Sequence, residues 1–147
     1  MLGLLARLKP RGQTDIAQSI HQLAAMIRHR SLVILFSDLL ADPEPILNAL
    51  HHLSYAGHDI IIFHVLDEAE ARFPFDGIIE FEEPEQSDRL TVDAAGIRRD
   101  YLDALAELMS TYRAECSKTG IDYVQIDTSM PFDKALTEYL ANRKARF

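Results

Sequence analysis

Apolar residues recur at helical spacing in four stretches of the chain and form uninterrupted runs in three others. The helical spacing, with Asp, Thr and Pro at the starts and Gly at two of the ends, predicts helices over residues 15–29, 43–57, 94–118 and 131–142. The uninterrupted runs lack the alternation of a half-exposed strand. They are typical of strands buried on both faces of a parallel sheet, at 31–37, 58–66 and 121–126.

A pair of shorter apolar runs, 78–83 and 89–92, flanks the turn-forming segment Pro84-Glu85-Gln86-Ser87-Asp88 and predicts an antiparallel hairpin. The element order is then helix, strand, helix, strand, hairpin, helix, strand, helix. Because crossovers between parallel strands are right-handed, the three main strands should be neighbours in one sheet. We therefore predict a single domain over residues 1–147, of the three-layer α/β class, with three parallel strands, flanking helices and an inserted hairpin.

The first strand of this sheet presents an unusual edge. Residues 32–36 form the most apolar run in the chain, yet nothing before them reads as a strand that could pair with their other side. Sheets in domains of this size have about five or six strands, and an apolar edge invites pairing with another chain. We expect more chain upstream of Met1, a second copy or another partner to cover this edge.

Composition narrows the range of functions. The formal net charge is -8, which argues against nucleic acid, because phosphate binding needs clustered Lys and Arg. Cys116 is the only cysteine, so an internal disulfide is impossible and a reducing compartment is the simplest location. No window approaches the roughly 20 apolar residues that a membrane helix needs. These observations predict a cytoplasmic protein without a membrane span.

An acidic residue follows each of the three main strands: Asp38, Asp67 and Asp127. Ligands of open parallel sheets bind beyond the carboxyl ends of the strands, and carboxylates there suit Mg²⁺. Aspartate is also favoured in turns and helix caps, which is the alternative interpretation of each. Thr14, in a loop before the first helix, could cap that helix or face the same edge. The chain has no phosphate-binding loop, nucleophile elbow or zinc-ligand spacing, so it offers no catalytic residue.

Five segments, in order, resemble a known family. They are GQTDIAQSI at 12–20, SLVILFSDLL at 31–40, GHDIIIFHVLD at 57–67, FPFDG at 73–77 and GIDYVQIDT at 120–128. Together they are similar to the bacterial domain-of-unknown-function family fifty-eight, whose members contain a von Willebrand factor A-like domain and are often encoded beside MoxR-type AAA+ ATPases.

The resemblance implies a Rossmann-like domain with a metal-ion-dependent adhesion site for Mg²⁺ or Mn²⁺ at the carboxyl ends of its strands. Thr14 and Asp38 match two elements of that site. The D-x-S-x-S loop that supplies the other ligands is absent. The chain then corresponds to the C-terminal half of such a domain and carries an incomplete metal site.

These considerations lead to three hypotheses about function. The first is a non-enzymatic adaptor that acts with a MoxR-type AAA+ ATPase. The second is a Mg²⁺-dependent hydrolase that uses the aspartates at the ends of the strands. No Lys or Arg directly follows any of the three strands, and this weighs against the hydrolase, because developing negative charge needs a positive group. The third is a structural homo-oligomer formed by pairing of the edge at Leu32 to Phe36.

Overall fold

The computed structural model describes residues 15–82 and 89–144. The helices in these ranges are α1 (Ile16–Met26), α2 (Pro43–Tyr55), α3 (Glu68–Arg72), α4 (Ala94–Lys118) and α5 (Phe132–Lys144). The strands are β1 (Leu32–Ser37), β2 (Asp59–Leu66), β3 (Ile78–Glu82), β4 (Arg89–Asp93) and β5 (Asp122–Asp127). The predicted order of elements is confirmed, and the short helix α3 is an addition that the apolar pattern did not indicate.

Aspartate side chains start three of the longer helices. Asp15 accepts a hydrogen bond from the backbone N–H of Gln18 at 2.8 Å, and Asp42 and Asp93 cap α2 and α4 in the same manner. The first N–H groups of a helix have no partner within the helix, so such a cap stabilises it by about 1 kcal/mol. The capping signals in the sequence therefore fix where these helices begin.

The main sheet contains β1, β2 and β5 in the spatial order β1-β2-β5, all parallel. β3 and β4 form a separate antiparallel hairpin. With helices on both faces of the parallel sheet, the predicted α/β class is confirmed, and the arrangement is that of a partial Rossmann-like domain. Among the described residues β1 pairs only with β2, so it is an edge strand, as its sequence context predicts.

One face of the sheet carries the larger apolar core. Helices α1, α2 and α4 cover this face, and its most buried members are Leu50, Leu53, Ile62, Tyr112 and Cys116. Burial raises the pKa of the Cys116 thiol to about 12, so the thiolate is absent at neutral pH. In this position Cys116 packs as a small core residue.

The opposite face is covered only in part. Tyr139 of α5 packs edge-on against Phe63 of β2, and Ile61 and Ile126 complete this smaller cluster. On β1 the side chains of Leu32, Ile34 and Phe36, which point to this face, are 55%, 47% and 53% exposed. The prediction that β1 is buried on both faces is therefore wrong, because α5 packs over β2 and β5 and the β1 side chains on this face stay about half exposed.

In residues 15–82 and 89–144, no helix has both the length and the apolar character that a membrane crossing needs.

Candidate functional site

The carboxyl ends of the parallel strands lie along one edge of the sheet, here called the acidic edge and defined by Asp38, Asp67 and Asp127. In the register of the sheet Ser37 is opposite His64, and Leu66 is opposite Asp127. The three aspartates therefore end neighbouring strands, as the sequence predicts. What each can bind depends on the hydrogen bonds that its carboxylate already makes.

The Asp67 carboxylate is used within the fold. One oxygen accepts a hydrogen bond from the backbone N–H of Ala69 at 2.8 Å and the other accepts from the Thr128 hydroxyl at 3.0 Å. The Glu70 carboxylate accepts a hydrogen bond from the backbone N–H of Asp67 at 3.0 Å, which completes a capping box at the start of α3. Asp67 thus caps a helix and ties it to the turn after β5.

The Asp127 carboxylate is also used within the fold. It accepts a hydrogen bond from the backbone N–H of Ser129 at 2.8 Å, and this bond lowers the pKa of Asp127. The bond stabilises the turn between β5 and α5. Of the two alternative roles that the sequence offers for Asp127, turn and helix cap, this bond is the turn, since α5 begins only at Phe132.

The Asp38 carboxylate differs from the other two. Asp38 is exposed, and its described hydrogen bonds, from the Ser37 hydroxyl and the Leu40 N–H, are both 3.4 Å long. Ordinary bonds of these types are close to 2.8–3.0 Å. Asp38 forms no ion pair with the residues that the structure describes. Of the three aspartates it is the one whose described hydrogen bonds are longest, so its carboxylate is the least engaged within the fold.

Leu39 holds the loop that presents Asp38. Its φ is 52°, in the left-handed region, which costs a leucine about 1–2 kcal/mol. Its side chain has 0% exposure and belongs to the main core, and burying a leucine contributes about 1.5–3 kcal/mol. The buried side chain therefore offsets the strain and anchors the turn beneath Asp38.

Thr14, the other predicted metal ligand, lies outside the described residues. Its neighbour Asp15 is described and lines an open groove together with Ala41 and Asp42, which follow Asp38 by three and four residues. The start of α1 and the loop after β1 therefore meet at the same end of the sheet. The pairing of Thr14 with Asp38 stays a prediction.

Within residues 15–82 and 89–144 no group of three or more His, Cys, Asp or Glu side chains could hold a metal ion, so the acidic edge does not gather its aspartates around one cation. Asp38 supplies one carboxylate, whereas Mg²⁺ completes an octahedron of oxygen ligands. The described residues do not make a metal site without further ligands.

His64, which the sequence analysis did not single out, lies under the acidic edge. Its ring has 0% exposure, and Nδ1 is 2.5 Å from the Tyr123 hydroxyl. Burial lowers the pKa of His64, and the nearby Asp38 only partly opposes this effect. A histidine inside the apolar run HDIIIFHVL was the signal that could have revealed it.

Arg72 is a second group at this edge that sequence spacing missed. It lines an open groove with Asp67, Thr128 and Ser129, because the short helix α3 brings it back toward the carboxyl end of β2. Its guanidinium lies 2.6 Å from the Glu68 carboxylate one turn away. Its charge is therefore matched within the helix.

These features define the class of the protein as an α/β domain of the partial Rossmann-like type, with a sheet edge at which one aspartate is available. The chain matches the family model described as "Protein of unknown function DUF58" over residues 1–110. It belongs to this family, as the sequence resemblance predicts. None of the curated proteins and none of the solved structures matches the chain.

Proposed function

We propose that this chain is a non-enzymatic protein-interaction module that acts with an AAA+ ATPase of the MoxR type. The partner would bind at the β1 surface, defined here as the side chains of Leu32, Ile34, Phe36 and Asp38. The observation that carries the proposal is the position of an exposed carboxylate, without a short hydrogen bond to the described residues, at the end of an apolar strip whose side chains are about half exposed. Such strips on soluble proteins are typical of interaction sites.

The apolar part of the β1 surface is too small to bind a partner tightly by itself. Fully burying one such side chain contributes about 1.5–3 kcal/mol, and these three are about half exposed, so covering them contributes about 2–4 kcal/mol. Micromolar affinity needs about 8 kcal/mol, in addition to the cost of association. A partner must therefore add polar contacts, and Asp38 is the group placed to receive them.

A shared cation is the polar contact that we propose. Mg²⁺ or Mn²⁺ would take oxygen ligands from Thr14 and Asp38 of this chain and a carboxylate from the ATPase. Because the described residues offer Asp38 alone, the isolated chain should bind the ion weakly. Metal and partner are then expected to bind together, with neither binding well without the other.

The test is capture of the MoxR-type ATPase encoded by the same genome on the immobilised chain. We expect capture with Mg²⁺, loss of capture with EDTA and loss with Asp38→Ala. Asp100→Ala is the matched control, because Asp100 is also exposed but lies on α4. Capture that persists in EDTA would exclude the shared cation. Capture that is equal for the Asp38 variant and the wild type would exclude this edge of the sheet as the contact.

Self-association through β1 is the second candidate, favoured by the charges at the two ends of the strand. Residues Leu32–Ser37 contain no charged residue or proline that would block edge pairing. In an antiparallel pair of copies centred on Ile34, Arg30 of one copy would stand opposite Asp38 of the other, and both side chains are exposed. Arg30 lies 3.2 Å from the Asp59 carboxylate within the chain, so it would have to share its charge between Asp59 and the Asp38 of the second copy.

Light scattering on the purified chain decides this candidate. A dimer that becomes a monomer with Ile34→Lys would support self-association, since the two lysines at the centre of the pair would lie opposite each other and repel. Reversing both charges, with Arg30→Glu and Asp38→Arg together, should retain the dimer, whereas either change alone should weaken it. A monomeric wild-type chain at high concentration would refute it and leave the β1 surface free for the ATPase.

A further inference from the structure

A pocket of aromatic side chains lies between α3, the β3 strand and the first turns of α4, outside the β1 surface. We name it the aromatic pocket, lined by Phe73, Phe75, Phe81 and Tyr101, with Ala69, Ile97 and Glu70 completing its walls. The cavity measures about 320 Å³, near the lower end of the range for sites that bind small groups. Neither the family description nor the proposed metal contact assigns a role to it.

The rings of the pocket contact one another, and Phe75 is steeply inclined to its two neighbours. Phe75 is almost perpendicular to Phe73 and to Phe81, with interplanar angles of 82° and 81° and centroid separations of 5.2 and 6.1 Å. Tyr101 lies 4.9 Å from Phe73. Phe73 is buried, so the accessible ring surface comes from the more exposed Phe75, Phe81 and Tyr101. The faces of such rings carry the negative part of the aromatic quadrupole, which attracts cations.

Arg98 fixes the loop that supplies two of these rings. Its guanidinium donates hydrogen bonds to the backbone carbonyls of Phe73 at 3.1 Å and Phe75 at 2.5 Å, and to the Asp76 carboxylate at 2.9 Å. Phe73 itself is 3% exposed and has a left-handed φ of 46°. One of the Arg98 bonds holds the strained Phe73 and the other two hold the residues after it, so the loop and its rings are in place before a ligand arrives.

Glu70 is the charged group in the wall of the aromatic pocket. One of its carboxylate oxygens accepts the backbone N–H of Asp67, and Glu70 forms no ion pair with the residues that the structure describes. The cations nearby in sequence have other partners, since Arg72 pairs with Glu68 and Arg98 pairs with Asp76. Burial raises the pKa of Tyr101, and the charge of Glu70 raises it further, which places a negative potential in the pocket.

We propose that the aromatic pocket binds the arginine side chain of a partner protein, with the guanidinium against the rings and paired with Glu70. A purely apolar guest would remove the Glu70 carboxylate from water without replacing its hydrogen bonds, which is unfavourable. We expect arginine and not lysine, because a planar guanidinium can stack on aromatic rings and also form two hydrogen bonds to one carboxylate. The net charge of -8 favours basic partners in general.

This proposal rests on the proposed interaction function, because it gives the partner a second contact. Its test does not use Asp38, a metal or the ATPase, so the two can fail separately. The probe is N-acetyl-arginine methylamide, titrated into the isotopically labelled chain and followed by NMR at Ala69, Ile97 and Tyr101. N-acetyl-citrulline methylamide is the matched neutral probe, since citrulline has nearly the same shape as arginine without its charge.

We expect the arginine probe to shift these signals and to bind at least about fivefold more tightly than the citrulline probe. Glu70→Gln should abolish that preference. It should also leave the fold intact, since glutamine can replace glutamate in a capping box. Glu68→Gln is the control, because Glu68 is on the same short helix but outside the aromatic pocket.

Three results would overturn the proposal. Equal affinity for the two probes would mean that the pocket recognises shape alone. A preference for arginine that survives in Glu70→Gln would remove the carboxylate from the site. Signals that do not move with either probe would mean that the pocket does not bind this side chain.

Discussion

His64 should make the stability of the protein depend on pH in a defined direction. The ring is fully buried, and burial lowers its pKa from the ordinary value of 6.5. The unfolded chain binds a proton near the ordinary value, whereas the folded protein resists protonation until a lower pH. The contribution of neutral His64 is therefore complete above pH 6.5 and is lost as the pH falls toward the lower folded pKa.

The size of this effect follows from linkage between protonation and folding. Between the two pKa values the free energy of unfolding falls by at most about 1.4 kcal/mol for each pH unit, the amount that one proton contributes. The loss ends once the folded protein is protonated as well. Local opening of the site lets His64 bind a proton without global unfolding and reduces the dependence of the unfolding free energy on pH. The value of about 1.4 kcal/mol for each pH unit is therefore an upper bound.

The assay is urea unfolding of the wild type and His64→Gln at a series of pH values from about 7.5 to about 5, the window in which histidine titrates. Glutamine cannot titrate, and its amide can still accept the Tyr123 hydroxyl. At each pH every other titrating group is common to both proteins, so the difference in unfolding free energy isolates His64. The wild type should lose stability relative to the variant as the pH falls. Parallel pH profiles would refute the reasoning.

Three further predictions can be checked by urea unfolding or by amide hydrogen exchange. Leu53→Ala, at a position with 0% exposure, should lower the unfolding free energy by about 2–5 kcal/mol, and a loss below 1 kcal/mol would contradict the assigned core. Asp67→Ala should lower the unfolding free energy by about 1–2 kcal/mol, because the cap and the Thr128 bond are lost. Asp38→Ala should change it by no more than about 0.5 kcal/mol. Equal effects of the two variants would contradict the assignment of Asp38 as available. Arg98→Ala should speed amide exchange in the loop around Phe75, because three hydrogen bonds disappear; unchanged exchange would show that packing alone holds the loop.

Most of the fold could be predicted from the sequence because its local signals agree with its tertiary structure. The helix α4 is bounded by Asp93 and Gly120, and its predicted range, 94–118, matches the observed one. The edge position of β1 followed from the absence of a strand before it, and the hairpin from the turn residues around 84–88. The helix α3 was missed because five residues are too few for helical periodicity to be recognised.

The exposure of β1, the roles of the three aspartates and the aromatic pocket could not be predicted from local sequence signals. The run SLVILFS is apolar at successive positions, and whether both faces are buried depends on where α5 packs, which no local pattern encodes. The sequence placed Asp38, Asp67 and Asp127 at one edge, but only their hydrogen bonds separate the available carboxylate from the two that hold turns and caps. The aromatic pocket depends on Arg98, which is 22 residues from its partner Asp76.

Hydrogen exchange of the chain with and without the MoxR-type ATPase, in the presence of Mg²⁺, tests the interaction surface most directly. The free edge of β1 should exchange quickly in the isolated chain. Adding the ATPase should slow exchange across residues 32–40 and leave the buried strand β2 unchanged, because β2 is already paired on both sides. Slowing confined to other parts of the chain, with residues 32–40 unaffected, would contradict the assignment of the β1 surface as the place where a partner binds.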